Sequence, residues 1–382
     1  MSKYLLFSGF LFFLLGCNNA TQQKFEMPSF RQEVRAKAEV IASGYAAVHE
    51  VEALFAIDSY LVLVKNWVVN NSTPFMEFYD KESGELLHEA ILKGRGPGEV
   101  AYVVGADLNC RTGDMVLADG TGKSILMFNI YDLLAPGETR FEKRPKINWT
   151  QHVFNLDDGY MLFNNNMSKH ATVNRLSRFE IRDARDSLRA AYDEFPIRDT
   201  VTDINFYLHQ QARLSLSSDR KRLVSGTLLR GAMLECFDVT ADGIAPRWTK
   251  YLVEPAYDKA TGKRIEKGRL SGFMDVYAAD DAVVTVLSDD RQDKVHSICI
   301  FDWKGDAVKR IAIEDDYLDV YRVCMDARGD IYAIMRDKED SFYLARIVET
   351  GPAPDGYRVS EEKIGRFSPE ENSEPSTFGT GA

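Results

Sequence analysis

The sequence predicts an all-β fold, a six-bladed β-propeller of four-stranded antiparallel blades, on three observations. The first is a recurring apolar run. Leu61-Val62-Leu63-Val64, Met115-Val116-Leu117-Ala118, Tyr160-Met161-Leu162-Phe163, Leu223-Val224-Ser225, Val283-Val284-Thr285-Val286 and Ile331-Tyr332-Ala333-Ile334 begin 54, 45, 63, 60 and 48 residues apart. β-branched and aromatic residues suit the pleated surface of a strand. The second observation is that each run has an aromatic-rich partner: Phe75 to Tyr79, Ile125 to Phe128, Phe179 to Ile181, Met233 to Phe237, Ser297 to Phe301 and Phe342 to Ile347. The third is the punctuation. Asp157-Asp158-Gly159, Asp242-Gly243, Lys304-Gly305-Asp306 and Arg328-Gly329-Asp330 are turn signals beside these runs. A period near 50 residues matches one blade.

Taken in order, residues 1–17 read as a leader. Lys3 is followed by an apolar run from Tyr4 to Leu15, then Gly16-Cys17. The run is too short to span roughly 30 Å of hydrocarbon as a helix. A small residue before a cysteine is the pattern of a bacterial lipoprotein signal, in which the Cys17 thiol receives a diacylglyceryl group. Acyl chains contribute about 0.8 kcal/mol per buried CH₂, so lipidation at Cys17 predicts a membrane anchor. Residues 18–29 are a polar tether, and 30–367 the propeller. Residues 31–41 suit a helix by composition or an extended strand. Outer strands are expected at 85–92, 187–192, 247–252 and 307–313. A ring must close, and either a segment between Phe30 and Tyr45 or a strand from Tyr357 to Phe367 completes the last blade. The tail 368–382 is polar and reads as disordered. Two β-sandwich domains are the alternative, but no Pro-, Ser- or Gly-rich linker divides the chain.

The formal net charge of −11, with no run of Lys or Arg, argues against a nucleic-acid partner. Cys110, Cys236, Cys299 and Cys324 form no C-x-x-C pair, and Cys236 and Cys299 lie in apolar runs as buried thiols. The six histidines are scattered, so no metal site and no cofactor is implied. Gly120 to Ser124 imitates the end of a P-loop but runs into a strand, so it reads as a hairpin loop. Acidic doublets such as Asp280-Asp281 read as turns, where Asp bonds its own backbone.

One unit carries a more specific pattern. Gly94-Arg95-Gly96-Pro97-Gly98-Glu99-Val100, Asp114 to Asp119 and Ser124 to Phe128 resemble the NHL-type propeller repeat, with Val100 where that repeat prefers phenylalanine. Together with the leader, the chain resembles the TolB-like six-bladed propeller lipoproteins of the Bacteroidetes. The resemblance implies a propeller in the cell envelope, and it implies no activity.

Lys267-Gly268-Arg269-Leu270-Ser271-Gly272 repeats the frame of Lys93-Gly94-Arg95-Gly96-Pro97-Gly98. The two stretches open the second and fifth blades, opposite each other in a ring of six. Glycines with positive φ and Pro97 would make the Lys93 stretch a forced turn. Arg95 and Arg269, flanked by Lys93 and Lys267, are the candidate cationic rim for a small anion near the channel. The expected function is a lipid-anchored envelope propeller, facing the periplasm, that binds a protein or a small anionic ligand without catalysis. The alternative is a hydrolase or lyase with a divalent metal in the channel, which would need three or four Asp, Glu, Asn or His side chains on the axis.

Overall fold

The structure is a computed structural model, described for residues 28–47, 51–68, 71–120, 124–137, 139–145, 150–165, 177–194, 212–228, 231–252, 272–288, 297–315 and 318–353. The leader with Cys17, the tether up to Met27, the stretch holding Lys267 and Arg269, the second closing option (357–367) and the tail lie outside the described residues.

β1 (Gln32–Ala47) comes first. Blade 1 is β2 (Val51–Ile57), β3 (Tyr60–Lys65), β4 (Met76–Asp80) and β5 (Leu86–Ala90). Blade 2 is β6 (Val103–Leu108), β7 (Asp114–Asp119), β8 (Ser124–Asn129) and β9 (Glu142–Pro145), with a short helix α1 (Ile130–Leu134) before β9. Blade 3 is β10 (Thr150–Asn155), β11 (Met161–Asn165), β12 (Phe179–Arg182) and β13 (Leu188–Tyr192). Blade 4 is β14 (Ala212–Leu216), β15 (Arg222–Thr227), β16 (Met233–Thr240) and β17 (Gly243–Tyr251). Blade 5 is β18 (Gly272–Ala278), β19 (Ala282–Ser288), β20 (Ser297–Asp302) and β21 (Ala307–Ile313). Blade 6 is β22 (Asp319–Met325), β23 (Ile331–Arg336) and β24 (Ser341–Pro352), with β1 as its outer strand.

Four blades are separate four-stranded sheets, each an antiparallel meander. Blades 5 and 6 are fused into one eight-stranded sheet, because β1 pairs antiparallel with β24 and its first residues also pair parallel with β21. The N-terminal closing option is therefore the one realised. The ambiguous segment at 31–41 is strand, since both of its edges meet an open sheet edge. The inner strands close the ring: β2 neighbours β6 and β22, β6 neighbours β10, and β18 neighbours β14 and β22.

The recurrent runs of the sequence are the second strands of the blades. Leu61 to Lys65 and Val283 to Leu287 are buried without interruption because both faces pack against neighbouring blades. Outer strands are half exposed, as at Leu86 to Ala90. The highly charged β9 (Glu-Lys-Arg-Pro) gave no strand signal and is the outer strand the sequence did not reveal.

Alternation of strand direction puts every first-to-second and third-to-fourth strand turn at one end of the propeller. This turn end is built on aspartates. Asp80 accepts hydrogen bonds from the N–H groups of Glu82 and Ser83, Asp302 from Lys304 and Asp306, and Asp326 from Arg328 and Asp330. The carboxylates satisfy the turn backbone.

Candidate functional site

The site is a register layer on the axis. In each blade the first strand pairs with the second, so equivalent positions can be read from the ladder. Opposite Val64, Ala118, Asn164, Gly226, Val286 and Ile334 stand Ala53, Gly105, His152, Arg213, Asp275 and Arg322. Two adjacent blades thus supply almost no side chain, and four supply polar or charged ones. In five inner strands this position follows directly on a bulge, between Val51 and Ala53, Val103 and Gly105, Thr150 and His152, Phe273 and Asp275, and Val320 and Arg322. A bulge bends the strand and re-aims the next side chain.

The space left by Ala53 and its neighbours is a cavity of about 60 Å³ whose walls include Glu52, Ala53, His152, Arg213 and Asp275. Arg213 reaches across the axis toward Glu52 of the opposite blade, with Nη1 3.7 Å from Oε1. That is an ion pair too long for a hydrogen bond. Arg322 turns sideways and donates from Nε to the Glu52 carbonyl at 3.0 Å and from Nη1 to the Tyr321 carbonyl at 3.0 Å. Asp275 accepts the Val323 N–H at 2.9 Å. Burial pushes the Asp275 carboxyl up, against the pull of Arg322 and Arg213.

The next layer toward the turn end is Phe55, Asp107, Phe154, Ser215, Tyr277 and Cys324. Arg220, at φ 58° in the turn after β14, crosses to Asp107 and clamps it with bonds of 2.9 and 2.8 Å. The Tyr277 hydroxyl lies 3.8 Å from Cys110 Sγ of the opposite blade. Tyr277 and Cys110 belong to the walls of the axial cavity and also of a second, outer cavity of about 730 Å³ at the turn end. They form the partition between the two. Arg111 and Asp280 bridge the outer rim at 3.3 Å. Side chains at this layer also tie inner strand to inner strand, because Asp107 accepts the Asn155 N–H at 3.1 Å and Ser215 Oγ the Ala278 N–H at 2.9 Å.

Burial pushes the His152 imidazole down to about 3, and the Arg213 and Arg322 cations push the same way. The unfolded histidine protonates near 6.5. Between those values the unfolded state binds a proton that the folded state refuses, so stability falls as pH drops from about 6.5 toward 3. His152→Gln is expected to lose less Tm between pH 7 and pH 4.5 than the wild type. Parallel curves would mean that His152 titrates normally and does not face the two cations.

The stretch 93–100 lies elsewhere. Lys93 Nζ donates to the Val68 carbonyl at 3.2 Å and sits 4.5 Å above the Trp67 ring. Gly96 N–H donates to Glu99 Oε2 at 2.7 Å, and Lys143 of the outer strand β9 holds the Gly96 carbonyl at 2.6 Å. Gly94, Gly96 and Gly98 do not have positive φ. What they supply is room: a Cβ on Gly94 would lie 1.9 Å from the Glu99 carboxylate, and one on Gly98 would lie 2.5 Å from the Phe141 ring. The turn thus seals the joint between blades 1 and 2. Arg95 is exposed, and neither Arg95 nor Lys93 forms part of either cavity wall. Arg269 and Lys267 lie outside the described residues.

Two of the axial residues carried a sequence signal that the runs obscured. Asp275 and Arg322 interrupt apolar stretches 8 and 9 residues ahead of Val283 and Ile331, whereas His152 and Arg213 stand close behind polar residues and carry no such mark. Among the described residues no three His, Cys, Asp or Glu side chains are grouped to hold a metal ion. Cys236, Cys299 and Cys324 are buried free thiols, and burial pushes Cys236 and Cys299 up to about 12. Among the described residues no helix is long and apolar enough to cross a membrane.

No family model matches the chain, and no curated protein matches it. Solved structures do. A candidate exported protein of Bacteroides fragilis superposes with a TM-score of 0.55 at 11% identity, over 83% of this chain and 95% of that one. A member of the DUF4221 family from Bacteroides vulgatus superposes with a TM-score of 0.50 at 10% identity, over 86% of this chain and 98% of that one. At these identities the likeness is one of fold.

Proposed function

We propose that this chain is an exported lipoprotein of the TolB-like propeller kind, held to an envelope membrane through Cys17, and that it binds a small carboxylate-bearing molecule on its axis without converting it. The observation that carries the ligand reading is the axial layer. Two adjacent blades give Ala53 and Gly105, and the next two around the ring offer the His152 imidazole and the Arg213 guanidinium. A guanidinium presents a planar fork of donors that suits a carboxylate. Neither side chain makes a hydrogen bond with the described residues that would use up its donors. The same mixture of two arginines with isolated acids is unsuited to a divalent cation, which takes six to eight oxygens.

The anchor has a geometric consequence. Arg31 pairs with Asp302 and Asp306 in the turn between β20 and β21, so β1 begins at the turn end. Cys17 stands 14 residues earlier, at most about 50 Å of extended chain. Anchoring at Cys17 therefore keeps the start of β1 within that distance of the bilayer.

The test has two arms. Metabolic labelling with an alkyne fatty acid should mark the wild type and fail on Cys17→Ser. Thermal shift with a panel of small carboxylates should raise Tm by several degrees at saturation for the wild type and not for Arg213→Gln, with Ca²⁺ and EDTA both without effect. Stabilisation by Ca²⁺, reversed by EDTA, would overturn the ligand reading in favour of a metal-dependent one.

A further inference from the structure

We propose that the axial cavity takes a small α-amino acid as a zwitterion, its carboxylate on Arg213 and His152 and its ammonium group on Glu52 and Asp275. The inference rests on the carboxylate-binding reading above and narrows it. Three observations carry it.

The first is the charge balance of the wall. A cavity for a simple anion would be cationic, but here Glu52, Asp107 and Asp275 line the wall together with Arg213 and His152, and Arg220 holds Asp107 in a closed pair. With Asp107 closed, the open part of the wall carries both signs of charge, which matches a dipolar guest better than a simple anion. A simple anion would meet these carboxylates unpaired, whereas a zwitterion adds no net charge and offers each of its ionic groups an opposite partner.

The second is the geometry of the cross-axis pair. At 3.7 Å, Glu52 and Arg213 attract each other without a hydrogen bond. Each therefore keeps bonding capacity toward the cavity, one as acceptor and one as donor. Other pairs near the axis are closed: Arg220 clamps Asp107 at 2.9 and 2.8 Å. Arg322 is committed to backbone carbonyls. The open pair is the one that faces the cavity.

The third is size. A water needs about 10–15 Å³ of such a cavity, so about 60 Å³ holds roughly four to six waters or as many heavy atoms. Glycine and alanine fall in that range, and a long side chain does not. The wall also includes Ala53 and Ala106, so a hydrogen or methyl on the α-carbon can meet an apolar surface. Phe55, Phe154 and Tyr277 form the floor below it.

Isothermal titration of the purified full-length chain at pH 7 tests this, with glycine, L-alanine, acetate and methylammonium as probes. Glycine and alanine are expected to bind at least tenfold more tightly than acetate, with methylammonium undetectable. Glu52→Gln should weaken glycine about tenfold while leaving acetate unchanged or stronger. Ala53→Leu, which fills the cavity and leaves every charge in place, should abolish binding of both while the chain keeps its cooperative melt. Acetate binding as tightly as glycine, or a glycine-to-acetate ratio unmoved by Glu52→Gln, overturns the zwitterion and leaves the carboxylate reading standing. Absence of binding by every carboxylate probe overturns both.

Discussion

Removing residues 1–47 is expected to abolish folding, and removing residues 1–27 to leave the propeller folded. The difference is β1. Its side toward β24 is paired from Val34 to Ala47, and its side toward β21 from Gln32 to Ala36. Where β21 ends, Glu314 N–H still donates to the Ala36 carbonyl, and Asp315 accepts the Ala38 N–H at 2.7 Å. Ala36 is wholly buried in the core shared by blades 5 and 6, with Ile311, Ala333 and Ala345. Gly84 of blade 1 comes so close to β1 that a Cβ there would lie 1.9 Å from the Ile41 carbonyl oxygen. The strand therefore joins three blades. Even at about 0.5 kcal/mol net per ladder bond, a 16-residue strand paired along one edge and from Gln32 to Ala36 along the other holds a large part of the ~5–15 kcal/mol that keeps a protein folded. Its loss also bares two sheet edges, which invite pairing between chains. Size-exclusion chromatography and circular dichroism would read the result. A monomeric, cooperatively melting 48–382 chain would show that β24 can close the ring unaided.

The repeat was legible because the second strand of each blade is buried on both faces, so its residues form an unbroken apolar run. The third strand is aromatic for a related reason, filling the wedge between blades. Inner strands were harder to see. Their channel-facing positions mix small, polar, charged and aromatic residues, and a bulge in five of them breaks the period of two on which strand recognition depends. Arg213 in Ala-Arg-Leu-Ser-Leu reads as an ordinary exposed strand residue until the ring brings it opposite Glu52. A pair 161 residues apart in the chain leaves no local trace. The Lys93 to Val100 turn shows the reverse. Its glycines are conspicuous, and the structure uses them for close packing around Glu99 and Phe141. The N-terminal closing strand was one of two options because its charged residues (Glu33, Arg35, Lys37, Glu39) alternate without a strong apolar face.

Single substitutions in the Arg178–Glu235 pair should cost about 3–5 kcal/mol, and replacing both together should cost far less. Arg178 precedes β12 in blade 3, and Glu235 lies in β16 of blade 4, so the pair joins two blades by their side chains. The guanidinium and carboxylate meet through two contacts, one of them 3.1 Å from Nη1 to Oε1. Their side chains are 1% and 6% exposed. The guanidinium also lies 4.9 Å from the Phe179 ring and 5.3 Å from the Phe237 ring. Glu235→Leu leaves a cation among those rings, and Arg178→Met leaves a carboxylate there. Either ion then carries its desolvation cost without its partner. Arg178→Met with Glu235→Leu removes both charges and puts apolar groups of similar volume against Phe179 and Phe237, so it should be near neutral or stabilising by up to about 4 kcal/mol. Denaturant unfolding of the four proteins gives the coupling energy as the departure from additivity. Additive costs below about 1 kcal/mol each would mean that water reaches this pair and that apolar contacts alone hold blades 3 and 4 together. A coupling of several kcal/mol would show that the charges are mutually required once buried. A double variant at least as stable as the wild type would show that an all-apolar wedge can do the same mechanical task.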